Sequence, residues 1–112
     1  MYQIVNVAFP FADDVEKGKP HPSLVVTPAF GTYKQFVLAY ITTQFDDQMD
    51  TDLLLDSQQE YFSKTGLEMN YLIKLHRLIT VTPAYISQKI GDLPEELIPE
   101  LKKKLKTIFA IS

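Results

Sequence analysis

His21 and His76 are the chain's two histidines, and imidazole is the side chain best suited to moving protons near neutral pH. Each has an ordinary reading beside the chemical one. His21 sits between Pro20 and Pro22, as an exposed loop residue would. His76, in Lys74-Leu75-His76-Arg77, fits a strand residue bonded to a neighbour. The adjacent hydroxyls Thr42 and Thr43 can donate to a developing negative charge, or are simply β-branched strand residues. Fixed positive charge is available at Lys17 and Lys19, at Lys74 and Arg77, and at Lys102–Lys106. Proton-transfer groups, hydroxyls and cations are the parts of general acid–base chemistry on a charged substrate.

Other chemistries find less support. With no cysteine, disulfides and thiolate-held metals are excluded. Asp46, Asp47, Asp50, Asp52 and Asp56 lack the glycine and terminal glutamate of a calcium loop and read as a solvated acidic segment. No metal or other cofactor is expected. Eleven Lys and Arg against fourteen Asp and Glu give a net charge of −3, so any nucleic-acid site must be a local patch. The Lys102–Lys106 run reads first as the wet face and C-terminal charge complement of a helix. Tyr33, Phe36, Tyr40 and Phe45 offer base-stacking faces, with core packing as the default for those in strands.

The elements that must position these groups fit one domain over residues 1–112, of which 46% are hydrophobic. No apolar run approaches the roughly 20 residues of a membrane span, and Met1–Phe9 lacks a signal peptide's basic start, so a cytoplasmic protein is expected. Tyr2–Ala8 reads as a first strand, broken at Phe9-Pro10-Phe11. Ala12–Pro22 reads as a long loop, expected to be mobile and protease-sensitive until a ligand orders it. Leu24–Val26 and Phe36–Thr43 read as a hairpin, the second strand apolar enough to be buried on both faces. Ser57–Glu60 has the pattern of a capping box, and Thr65-Gly66 stops the short helix it would begin.

Strand character returns at Tyr71–Leu75 and again at Leu78–Val81. Leu97, Leu101, Leu105 and Ile108 form the apolar stripe of a C-terminal helix. Pro99 requires either a kink there or a first turn at Pro94–Ile98 offset from the main body. The fold class is mainly β (α+β), with antiparallel strands, a short middle helix and a C-terminal helix.

The succession FPFADD, KPHPSLVVTP, FVLAYITTQ, TGLEMNYLIKLHRLITV and KIGDLPEELIPELKKKLKTIF resembles the MazF/PemK family of toxin ribonucleases over nearly the whole chain. Members of that family show an FPF-like end to the first strand, an Arg-Pro-x-Leu-Val strand opening, an Ile-Thr-Ser strand end and a late G-x-L helix start. The resemblance implies an SH3-like barrel, a homodimer, and metal-independent cleavage of single-stranded RNA. It also implies an antitoxin whose tail occupies the substrate groove. Thr42 and Thr43 fall on the Thr-Ser pair, and His21 falls where the family carries its catalytic arginine. That last match is a departure, because a guanidinium stays charged and forks onto phosphate whereas an imidazole titrates.

On this reading the catalytic set is His21, Thr42, Thr43 and His76, with Lys19, Lys74, Arg77 and Gln44 on the RNA. Two alternatives remain open. One is a relative that lost catalysis with the arginine and binds RNA or antitoxin. The other is a gyrase-binding toxin of the CcdB kind, although the ending Phe109-Ala110-Ile111-Ser112 lacks the Trp-Gly-Ile of such poisons.

Overall fold

The computed structural model describes residues 1–7 and 21–112. Among them, six strands pair antiparallel in one sheet: β1 (Gln3–Val7), β2 (His21–Val25), β3 (Phe36–Thr42), β4 (Asp52–Leu55), β5 (Tyr71–Val81) and β6 (Ile86–Asp92). Their order across the sheet is β4-β5-β3-β2-β1-β6. Among the described residues a single α-helix, α1 (Ile98–Ile108), follows the last strand. This is the mainly β architecture with a C-terminal helix that the sequence implies.

Side-chain alternation gives the sheet two apolar faces. Ile4, Leu24, Ala39, Ile41, Ile73 and Leu75 join Leu101 of α1 in the larger cluster, while Val5, Val7, Val25, Leu38 and Val81 form a smaller one. The near-continuous apolar run of β3 is explained by this division, since Ala39 and Ile41 serve one cluster and Leu38 the other. Leu101 is fully buried, a placement that favours folding by about 1.5–3 kcal/mol for a side chain of its size.

Three local features differ from, or refine, the sequence expectations. Positions 12–20 of the expected loop lie outside the described residues, and its last two residues, His21 and Pro22, belong to β2, paired with Val7 and Asn6. The capping box does not form. Instead the Asp56 carboxylate accepts from the Gln58 amide at 2.9 Å, and Glu60–Thr65 makes a 3₁₀ turn closed by Gly66 at φ 70°. Pro99 falls in the first turn of α1, where a missing N–H is harmless, and a separate 3₁₀ turn, Glu95–Leu97, precedes it.

The turn after edge strand β4 packs against the opposite edge strand, β6, so the sheet wraps upon itself as a barrel does. Gly91 makes that closure possible, because a Cβ there would land on the Thr65 carbonyl. Gly91→Ala is therefore expected to lower stability by about 1–3 kcal/mol, as overpacking does. A urea midpoint equal to that of the parent protein would show that the two edges have room to part.

Candidate active site

The candidate site lies where regular pairing around Tyr40 gives way. The β2–β3 ladder ends at the Ser23↔Tyr40 pair, beside Pro22, which has no N–H to extend it. On the other side of β3, Ala39 pairs with Leu78 but Tyr40 pairs with Lys74, so Leu75, His76 and Arg77 form a bulge in β5. Bulges of this kind re-aim side chains.

One row of paired residues crosses five strands at this level: Val5, Ser23, Tyr40, Lys74 and Asp52. His21 stands two residues before Ser23 and therefore on the same face. Its ring centroid lies 6.4 Å from that of Tyr40, with the planes inclined by 49°. The Arg77 guanidinium lies over the Tyr40 ring, 4.4 Å from its centroid, a cation–π contact worth about 0.5–1 kcal/mol at an exposed position. Tyr40 thus joins a histidine from β2 to an arginine from the β5 bulge.

Thr42, buried at the end of β3, accepts the Gln44 amide on its hydroxyl oxygen at 3.0 Å, which turns the chain. Thr43 and Gln44 follow on the exposed turn. His76 is the exposed residue before Arg77 in the bulge. Lys19 lies outside the described residues.

Lys74, expected on the RNA, is only 6% exposed. Its ammonium donates to Asp52 Oδ2 at 2.7 Å and to the Asp47 carbonyl at 2.8 Å. Asp52 Oδ2 also accepts the Met49 amide at 2.9 Å. Together these contacts fasten the acidic segment after Thr43 to the sheet, so Lys74 holds the rim of the site from beneath.

Two further residues matter here. Tyr40 is the hub of the cluster, although an aromatic in an apolar strand reads first as core. Ser23 is fully buried in the same row, and its hydroxyl has no hydrogen-bond partner among the described residues. Nothing in its local sequence marks it.

Acidic charge gathers elsewhere. Asp56, Glu96 and Glu100 surround Tyr61, whose hydroxyl is pushed above its ordinary pKa first by burial and then by these carboxylates. A cleft of about 470 Å³ opens beside Pro22, lined by Asn6, Leu67, Met69 and Gln88 among others. Its described lining holds no histidine or arginine, and its lysine, Lys89, is paired with Asp92 at 3.3 Å. Among the described residues, no three His, Cys, Asp or Glu side chains are grouped so as to hold a metal ion. No helix among them is long and apolar enough to cross a membrane.

Residues 1–109 match the model of the PemK-like, MazF-like toxins of type II toxin–antitoxin systems. The fold is similar to that of the Mycobacterium tuberculosis toxin MazF-mt6, with a TM-score of 0.73 and 18% identity over 98% of each chain. It is also similar to an endoribonuclease solved in complex with its cognate antitoxin from a mycobacterial species. There the TM-score is 0.68 and the identity 13%, over 99% of this chain and 94% of that one. No curated protein sequence matches the chain.

Proposed function

Since the chain belongs to the PemK-like, MazF-like toxins of type II toxin–antitoxin systems, we propose that it is a metal-independent endoribonuclease acting on single-stranded RNA in the cytoplasm. The observation that carries this reading is the His21–Tyr40–Arg77 cluster, which brings a proton-transfer group and a permanent cation to one ring.

In the reaction the RNA 2′-oxygen attacks the adjacent phosphorus and the bond to the 5′-oxygen breaks, leaving a 2′,3′-cyclic phosphate and a 5′-hydroxyl. A base takes the 2′-hydroxyl proton and an acid delivers one to the departing 5′-oxygen. His21 and His76 divide these two roles. The Thr42 and Thr43 hydroxyls donate to the non-bridging oxygens as their charge grows, and Gln44 contacts the RNA beside them. Lys19, two residues before His21, adds attraction for the backbone.

Incubation with single-stranded RNA in EDTA is expected to yield fragments with cyclic phosphate ends. Intact RNA bound by the protein would instead identify a relative that lost catalysis with the arginine.

The partners proposed are a homodimeric copy and an antitoxin whose segment competes with RNA for the groove. Sedimentation at micromolar concentration should give the mass of a dimer. A monomer under those conditions would count against an assembly of the family kind.

A further inference from the structure

We propose that Arg77, laid on the ring of Tyr40, supplies the fixed positive charge that the family motif carries at the position of His21, so that the guanidinium enters the site from β5 instead of β2. This inference rests on the ribonuclease reading above and adds to it a specific cation and the residue that holds it.

A phosphate acquiring charge needs a donor that remains positive while neighbouring groups exchange protons. An imidazole that accepts and returns a proton cannot also be that donor. The other candidate cations are placed differently. Lys74 is buried on Asp52, Lys89 lies on β6, beyond β1, and is paired with Asp92 at 3.3 Å, and Lys104 of α1 is engaged with Glu100 at 3.6 Å. α1 as a whole packs on the face of the larger cluster, the opposite face from Tyr40 and Leu38.

Arg77 is exposed, and the bulge places its guanidinium 4.4 Å from the centroid of Tyr40, the ring that also faces His21. A guanidinium lying over a ring uses its face for that contact. In that arrangement its N–H edges can fork onto phosphate oxygens. Tyr40 is then a positioning residue, acting through its ring and not its hydroxyl.

The test compares Arg77→Met, Arg77→Lys, Tyr40→Leu and Tyr40→Phe with the parent protein. One readout is kcat and KM on a single-stranded RNA in EDTA. The other is the salt dependence of binding to the same sequence with every 2′-hydroxyl methylated, which the reaction cannot cut.

Arg77→Met is expected to lower kcat at least tenfold and to reduce the slope of log K against log salt by about 0.7, the loss of one phosphate contact on a single strand. Arg77→Lys should keep the slope and still lose kcat, because an ammonium lacks the fork. Tyr40→Leu should lower kcat about two- to fivefold, the size of the contact that positions the guanidinium, while Tyr40→Phe should match the parent protein in both readouts. Parent-like kcat in either Arg77→Met or Tyr40→Leu overturns the proposal, and Arg77→Met, at an exposed position, is expected to fold. Should the parent protein fail to cut RNA, the ribonuclease reading falls separately. The binding slope still decides the matter, since an unchanged slope in Arg77→Met removes Arg77 from the phosphate.

Discussion

Replacing His21 by alanine is expected to reduce RNA cleavage by two to four orders of magnitude while leaving RNA binding within about threefold. A positioned acid or base contributes roughly 10²–10⁴ in rate, whereas a single imidazole adds little to an affinity carried by many phosphate contacts. His21→Arg separates the two readings of the departure from the family motif. If His21 moves protons, the arginine variant loses most of the rate. If the chain lost catalysis when arginine was replaced, the parent protein is silent and His21→Arg gains cleavage. A silent parent with an active arginine variant would overturn the enzyme assignment and leave a binding protein.

Much of the fold was legible because its signals are local. The doubly apolar strand β3 shows in Phe36–Thr43, and the break between Tyr71–Leu75 and Leu78–Val81 marks the place where β5 changes partners' register at the bulge. β6 was not legible. Ile86-Ser-Gln-Lys-Ile-Gly-Asp has two large apolar residues and is half-buried at best, so the strand is held by its ladder with β1 and leaves no clear alternation. The site divides in the same way. His21, Thr42 and Arg77 stand out by residue type, but the role of Tyr40 depends on a bulge in a strand more than thirty residues later. Lys74 reads in the sequence as an available cation because its partner, Asp52, lies 22 residues away within a run whose pattern is that of a solvated acidic segment.

Lys74→Met is expected to destabilise the protein by about 3–5 kcal/mol, the usual effect of removing one partner from a buried ion pair. Asp52 is 5% exposed, and without the ammonium its carboxylate would stay out of water with only the Met49 amide against it. The urea midpoint should fall while the m-value holds. Combining Lys74→Met with Asp52→Leu removes both charges and should recover much of the loss, because buried pairs are often replaceable by apolar side chains of similar volume. That double variant still loses the bonds from Lys74 to the Asp47 carbonyl and from the Met49 amide to Asp52, so the segment after Thr43 keeps only the bond from the backbone amide of position 52 to the Met49 carbonyl and the Lys104 bond to the Asp50 carbonyl among those described. Its RNA cleavage should therefore stay depressed although its stability returns. The salt slope for RNA binding should be unchanged, since an ammonium buried on Asp52 releases no counterion from the phosphates. A slope reduced by about 0.7 would instead return Lys74 to the RNA and require the pair with Asp52 to open when RNA binds. Full recovery of both stability and cleavage would show that the pair serves only the sheet. Stable folding with depressed cleavage is the outcome that ties this row of the sheet, from Asp52 through Lys74 to Tyr40, to the working geometry of the site.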